Sequence, residues 1–166
     1  MPHDFSRGFA LCALVQLSGS SVPREQVLYE VGTKSTPRAF SLRLCLRADG
    51  FLACVVALNG QEPLVALAPK HITDVVRSRW SLVSAMLTQA ATSVQLKLMM
   101  GRTVIATANG AAIPGGTLSE FHTLGADLEG QNCAAMRTGE WILTGRALTG
   151  EEYEKVLRHI VLEWHK

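Results

Sequence analysis

Two pairs of acidic residues lie close enough together in the sequence to be considered for acid–base chemistry. Glu25 and Glu30 are separated by a run without a further acid, and Asp127 and Glu129 lie in a polar segment without a third acid. Hydrolysis of a glycosidic bond uses two carboxylates that flank the bond. Neither pair has the E-x-D-x-x-E spacing that puts such carboxylates on one face. The sequence therefore predicts no enzyme, and a hydrolase or lyase survives only if acids from distant strands converge.

The other residue types that carry chemistry are dispersed along the chain. There is no G-x-S-x-G, Walker, H-E-x-x-H or G-x-G-x-x-G motif. The cysteines form no C-x-x-C pair and no closely spaced set with histidine, so no zinc site is predicted. The histidines are more typical of surface or structural positions than of metal ligands, and they are His3, His71, His122, His159 and His165.

Composition and charge restrict the class of partner. The 166 residues are 48% hydrophobic and 18% charged, which predicts one folded domain over residues 1–166. The formal net charge is +2 and no basic run exceeds two residues, so we expect no nucleic-acid partner. Polar residues interrupt every apolar stretch well before the ~20 residues that a membrane-spanning helix needs, so we expect no membrane partner.

The cysteines and the first residues bear on the compartment. Four cysteines lie within apolar segments, which predicts buried, reduced thiols: Cys12, Cys45, Cys54 and Cys133. The apolar run at residues 8–17 is not followed by a small-residue cleavage site, so no signal peptide is predicted. Both features favour a cytoplasmic location. The alternative is a domain excised from a longer secreted protein.

Alternating apolar residues and turn signals predict the elements that must position any site. The clearest alternation places Phe40, Leu42, Leu44 and Leu46 on one face of a strand. Asp49-Gly50 and Asn59-Gly60 then predict two hairpin turns, and hence a three-stranded meander. Asn109-Gly110 and Pro114-Gly115-Gly116 are interpreted as a loop. Strands are predicted at residues 9–17, 27–31, 40–46, 51–58, 63–67, 79–87, 93–99, 103–106, 118–124 and 134–143.

This spacing of nine or ten short strands is typical of a sandwich or barrel. No helical pattern of ten or more residues falls between the strands, which excludes an alternating strand–helix fold. We therefore predict an all-β, antiparallel β-sandwich over about residues 8–146.

The end of the chain predicts one amphipathic α-helix over about residues 149–164. Thr149-Gly150-Glu151-Glu152 forms a capping box. An apolar stripe follows at helical spacing, made of Tyr153, Val156, Leu157, Ile160, Val161 and Trp164. Pairs of Glu151 with Lys155 and of Glu154 with Arg158 are expected on the opposite side. The stripe should dock on the sandwich, and the alternative is contact with a second subunit or another partner.

The order of these segments resembles the concanavalin A-like lectin/glucanase superfamily, particularly its laminin G-like and pentraxin-like members. The close of the chain is the most specific part: a strand ending at Gly125, a Gly139-containing segment before an apolar strand, and a helix start at residues 146–152. The earlier stretches that share the likeness are residues 9–15, 40–44, 79–80 and 94–101. The resemblance implies a jelly roll and covers nearly the whole chain. A Met100-Gly101 turn, a long final helix and no C-terminal disulfide depart from it.

The resemblance implies carbohydrate recognition and, as a cofactor, calcium. Sugar binding needs exposed aromatic faces, for which the candidates are Trp141, Tyr29 and Trp164. Calcium needs oxygen ligands, for which the candidates are Asp127, Glu129 and Asn132 in one loop; the alternative is an ordinary solvated loop. Trp80 and Trp141 lie at positions where such domains bury large residues, and Trp164 continues the helix stripe, so packing is the alternative for the tryptophans.

The function predicted from the sequence is that of a non-catalytic, lectin-like binding module for carbohydrate. The alternative is a protein-interaction or assembly domain, which the small number of aromatic residues and the long terminal helix favour. In that alternative the chain would form a homo-oligomer through the C-terminal helix.

Overall fold

Ten antiparallel strands form two five-stranded sheets in the part of the chain that the computed structural model describes, which is residues 4–18, 24–33, 39–114 and 120–164. The strands are β1 (Phe9–Leu17), β2 (Gln26–Gly32), β3 (Phe40–Leu46), β4 (Leu52–Leu58), β5 (Leu64–Leu67), β6 (Ser81–Gln89), β7 (Ser93–Met100), β8 (Thr103–Ala111), β9 (Phe121–Leu124) and β10 (Met136–Thr144). The helices are a short 3-10 helix (Phe5–Arg7), α1 (Lys70–Ser78) and α2 (Gly150–Trp164). The predicted antiparallel sandwich with a C-terminal helix is confirmed.

The two sheets have different strand orders. The first sheet runs β10-β1-β6-β7-β8, and the second runs β5-β4-β3-β2-β9. The first strand of the chain is therefore internal, with β10 on one side and β6 on the other. Strands β9 and β10 follow one another in the sequence but lie at the edges of different sheets, so the segment between them crosses from one sheet to the other.

Two of the three Asp-Gly and Asn-Gly dipeptides form the turns that the sequence predicted, and the third does not. The predicted meander is confirmed, since β3 pairs with β4 and β4 with β5, and Gly50 and Gly60 have φ angles of 84° and 74°. Asn109 and Gly110, which were predicted to lie in a loop, instead lie within β8. The prediction was wrong because Gly110 serves a close approach: a Cβ there would lie 3.3 Å from Cδ1 of Leu64.

Apolar side chains from both sheets fill the space between them. Phe5, Phe9 and Phe40 are completely buried there, and the rings of Phe5 and Phe40 have centroids 4.1 Å apart. The alternating leucines of β3 face this core, as predicted. Each buried leucine or phenylalanine contributes roughly 1.5–3 kcal/mol, so this layer carries most of the stability of the sandwich.

Helix α1 was not predicted. Its nine residues are too few for a helical period of apolar residues to be recognised in the sequence. Its N-cap residue, Pro69, makes no side-chain capping hydrogen bond. Ile72 and Val76 bury the helix against the sandwich, and the backbone N–H of Leu52 donates to Oγ1 of the buried Thr73 at 3.0 Å. Tertiary packing therefore stabilises α1 more than its own sequence does.

Helix α2 packs on the outer face of the first sheet through Tyr153, Leu157 and Ile160. The Tyr153 hydroxyl donates to the carbonyl of Gly101 at 2.7 Å and lies 3.1 Å from Oγ of Ser84. Burial raises the pKa of Tyr153 to about 12. The predicted intramolecular docking of the helix is thus observed in the structure.

The start of α2 has the predicted capping box. The backbone N–H of Thr149 donates to Glu152, and the N–H of Glu152 donates back to Oγ1 of Thr149. The predicted Glu151–Lys155 pair is present at 2.9 Å. Glu154 forms its hydrogen-bonded ion pair with Arg102, in the turn between β7 and β8, and the predicted partner Arg158 adds a weaker electrostatic attraction. Neither helix in the described residues has the length and apolarity needed to cross a membrane.

Candidate ligand-binding site

The structure separates the three aromatic residues that the sequence offered for sugar binding. Tyr29 on β2 and Trp141 on β10 lie together inside the open edge of the sandwich, with ring centroids 6.0 Å apart. Trp164 lies in the last turn of α2, on the outer face of the first sheet, where its ring centroid is 5.6 Å from that of Trp80. Two places must therefore be compared.

The first place is the edge cleft, which we define as the cavity of about 150 Å³ between Tyr29, His122 and Trp141. The Tyr29 hydroxyl lies 2.6 Å from Nδ1 of His122. Tyr29 is only 3% exposed, and burial raises the pKa of its hydroxyl. Nε1 of Trp141 is buried without a hydrogen-bond partner among the described residues. Tyr29 is buried and Trp141 is partly buried, so the edge cleft offers less aromatic surface for stacking a ligand than two exposed rings would.

The second place is the tryptophan groove, a cavity of about 440 Å³ between the end of α2 and the first sheet. Its walls include the rings of Trp80 and Trp164, which are 41% and 48% exposed and inclined by 36°. Apolar side chains form its floor: Leu14, Leu82, Leu157 and Ile160. The groove thus combines two half-exposed indole rings with an apolar base, and most ligand pockets are likewise lined by aromatic and apolar side chains.

Trp80 is positioned by the junction between α1 and β6. Helix α1 ends at Ser78, and Arg79 is its extended C-cap residue, with its backbone N–H donating to the carbonyl of Val75. Oγ of Ser81 donates to the carbonyl of Arg79 at 3.2 Å. This junction fixes the backbone on both sides of Trp80 and leaves its side chain at the surface. The expectation that Trp80 is buried within a strand was therefore wrong.

Trp164 is positioned by a glycine on the neighbouring strand. A Cβ at Gly139 on β10 would lie 2.6 Å from Cζ2 of Trp164 and 2.8 Å from Cη2. Carbon atoms in favourable contact are ~3.5–4.0 Å apart, so only glycine leaves room for the indole ring at this position. The close approach holds the Trp164 ring against the sheet and leaves the side chain 48% exposed.

Arg102 supplies the charge at the rim of the groove. Its Nε and Nη2 atoms donate to the two carboxylate oxygens of Glu154, both at 2.9 Å. These hydrogen bonds lower the pKa of Glu154. A two-pronged pair of this kind fixes the plane of the guanidinium, so the groove has a rigid hydrogen-bonding edge beside its aromatic walls.

The loop that contains Asp127, Glu129 and Asn132 is held by hydrogen bonds between its own residues. Oδ1 of Asp127 accepts from the backbone N–H of Gln131 at 2.6 Å, and Oδ2 accepts from Nδ2 of Asn132 at 2.7 Å. Within the described ranges, no three His, Cys, Asp or Glu side chains come together as a metal site. Calcium binding by Asp127, Glu129 and Asn132 stays a prediction.

The acids Glu25 and Glu30 do converge, but on an arginine. Arg43 donates through Nη1 to Glu25 and through Nη2 to Oε1 of Glu30, the latter at 2.9 Å. Oε2 of Glu30 accepts from the backbone N–H of Leu128 at 2.8 Å. Glu30 is fully buried and both its oxygens accept hydrogen bonds, so it anchors the segment between β9 and β10 and is itself closed to a ligand. Glu25 is 32% exposed and lines a separate open cavity with Arg47 and Asp49.

Sequence reasoning missed three residues of the groove: Trp80, Arg102 and Gly139. Trp80 and Gly139 were noted only as parts of strands, and Arg102 only follows the Gly101 turn. Their common function depends on where α2 crosses the first sheet, which no local pattern reveals. The one available signal was the continuation of the helix stripe to Trp164, which required some apolar surface opposite the last turn.

Comparison with known proteins supports the fold. No family model matches the chain, and no curated protein matches it. Among solved structures, a mutant of HCR/D has a TM-score of 0.69 at 11% identity over 94% of this chain, which spans only 38% of that one. The Ruminococcus gnavus IT-sialidase CBM40 bound to alpha2,3 sialyllactose has a TM-score of 0.63 at 16% identity, with 95% and 92% of the two chains covered.

The heptameric SAP-like pentraxin from Limulus polyphemus is similar to the chain as well, with a TM-score of 0.60 at 12% identity over 94% of this chain and 70% of that one. These structures have jelly-roll sandwiches, as the sequence predicted for this chain. At such low identities the likeness establishes the shared fold.

Proposed function

We propose that the chain is a non-catalytic carbohydrate-binding module that holds its sugar in the tryptophan groove. The observation that carries the proposal is the pair of half-exposed indole rings, Trp80 and Trp164, side by side in one concave surface. A pyranose ring has an apolar face of C–H groups that stacks on an indole, while its hydroxyls need hydrogen-bonding partners. The groove offers both, since Arg102 lies at its rim.

The size of the groove and the similar structures support this proposal. Its volume of about 440 Å³ falls within the ~300–1,000 Å³ range of small-molecule sites. The R. gnavus module, which this chain covers over 92% of its length, is described as bound to a sialylated sugar. The edge cleft, at about 150 Å³, is smaller, and its aromatic rings are buried or partly buried.

The proposal excludes catalysis because of how the converging acids are used. A glycosidase needs one carboxylic acid that can protonate the leaving oxygen. Glu30 is buried, and Arg43 lies between it and Glu25. The pair therefore serves the fold.

A protein-interaction or assembly domain is the second candidate, favoured by the exposed apolar end of α2. Leu162 is 65% exposed and Val161 is 53% exposed next to the groove. A homo-oligomer through this helix would cover both residues. Sedimentation velocity over a range of concentrations tests it: self-association that Leu162→Glu abolishes favours assembly, whereas a monomer at all concentrations argues against it.

The first test of the carbohydrate proposal is a glycan array with the purified chain, in calcium and again with a chelator. We expect binding that Trp80→Ala and Trp164→Ala each abolish. Phe121→Ala is the matched control, because Phe121 is an aromatic residue of similar exposure on β9, away from the groove. Binding lost with the chelator would support calcium at the Asp127 loop. No binding in either condition, or binding unaffected by both tryptophan variants, would contradict the proposed site.

A further inference from the structure

The cation that lines the tryptophan groove is paired with a carboxylate. Arg102 is the charged side chain that lines it, and the other lining residues in the described part of the chain are apolar side chains and Gly101. Glu154 neutralises Arg102 through two hydrogen bonds of 2.9 Å. A ligand that enters the groove therefore meets one cation already paired with one anion.

The geometry of this pair decides which sugar groups it can bind. A guanidinium has five N–H donors, of which Glu154 occupies two, so three are left for ligand oxygens. The carboxylate oxygens of Glu154 can accept further hydrogen bonds from hydroxyls. A sugar hydroxyl, which both donates and accepts, suits such a pair. A sugar carboxylate must instead compete with Glu154 for Arg102 and lie beside a like charge, which is unfavourable.

We infer that the tryptophan groove selects uncharged glycans, and that Glu154 determines this selectivity by occupying the guanidinium of Arg102. This inference rests on the proposed function, because it concerns the same groove. It assigns to the ion pair a role in ligand choice, because exposed ion pairs of this kind contribute little to the stability of a fold. Rejection of acidic sugars would come from the unfavourable charge that Glu154 presents to them.

Glu154→Gln tests the inference, with Glu151→Gln as its matched control. Both substitutions remove one negative charge from α2, but Glu151 pairs with Lys155 and is not part of the Arg102 pair. Calorimetric titrations would use lactose, maltotriose and N,N′-diacetylchitobiose as neutral probes. The acidic probes would be α2,3-sialyllactose and trigalacturonate. Urea unfolding of each variant verifies that the fold is intact.

We expect the unmodified protein to bind a neutral probe at least tenfold more tightly than any acidic probe. Glu154→Gln should reduce this ratio about tenfold or more by improving acidic binding, and Glu151→Gln should leave it unchanged. Preference for an acidic probe that Trp80→Ala abolishes would overturn the inference and leave the proposed function standing. Equal effects of the two glutamine variants would overturn it too. If no probe binds, the proposed function and the inference both fail.

Discussion

Gly139→Ala is the substitution that most directly tests how the groove is built. The added Cβ would lie 2.6 Å from Cζ2 of Trp164 and 3.0 Å from Cδ2 of Leu14. The indole must then move by about 1 Å to reach a normal carbon–carbon distance. Because Trp164 is in the last turn of α2 and 48% exposed, the side chain should yield and the strand should stay in place.

Two opposing contributions determine the change in stability. A buried tryptophan covers up to about 250 Å², and about half of Trp164 is covered, so its complete displacement costs at most ~3 kcal/mol at ~25 cal/mol per Å². Replacing a strand glycine by alanine contributes ~0.5–1 kcal/mol in the other direction. We expect the free energy of unfolding to fall by about 1–2 kcal/mol.

Urea unfolding measures this change, and tryptophan fluorescence reports the displacement of the ring. Gly150→Ala is the matched control, because a Cβ at Gly150 has no atom within 4 Å and the same glycine is lost from the unfolded chain. The control should stabilise α2 by up to ~1 kcal/mol. Gly139→Ala should shift the emission to longer wavelength and weaken glycan binding about tenfold. A variant that is stabilised like the control and binds normally would refute the seating of Trp164 on Gly139.

Three further predictions concern the rest of the molecule. Glu30→Gln should lower the free energy of unfolding by roughly 3 kcal/mol in a urea titration. This is the low end of the range for breaking a buried ion pair, because Arg43 keeps its second partner, Glu25. An unchanged midpoint of unfolding would contradict this. Hydrogen bonding from Arg146 lowers the pKa of Glu152 from 4.5 to about 2, so its stabilisation is present above pH 4.5 and is lost as the pH falls towards 2. Melting temperatures should therefore fall less steeply over this interval in Glu152→Gln than in the unmodified protein, and parallel curves would argue against the pair. The prediction that Cys133 is buried was wrong, because it is exposed, so a thiol reagent should modify this one cysteine before unfolding. Fast reaction of more than one cysteine would contradict the burial and raised pKa of the other three, which are Cys12, Cys45 and Cys54.

The elements that local chemistry specifies could be predicted from the sequence. The alternation of Phe40 to Leu46 and the Asp49-Gly50 turn define β3 and β4 within one stretch of chain. The capping box at Thr149 defines the start of α2 in the same way. The Asn109-Gly110 dipeptide is typical of a hairpin turn, but here it lies within a strand and its glycine packs against Leu64 on β5.

The groove could not be predicted because its parts come from elements that meet only in the folded chain. Trp80 follows a helix that the sequence did not reveal, and Gly139 lies on the last strand. Trp164 was identified as a candidate for sugar binding, but its partner across the groove was expected in the core. Which residues oppose the helix depends on the crossing of α2 over the sheet, and that is decided by long-range packing.

The position of β1 has a consequence for how the chain reaches its native state. Ala10 pairs with Met86 on one side and with Thr144 on the other, so the first strand to be synthesised completes its pairing only with the last. Contacts so distant in sequence are formed slowly, and folding on the scale of milliseconds to seconds is typical of such sandwiches. During translation both edges of β1 stay open to other chains until β6 and then β10 have emerged. A ribosome stalled before β10 would therefore display an apolar strand with an unsatisfied edge, the kind of nascent chain on which chaperones act.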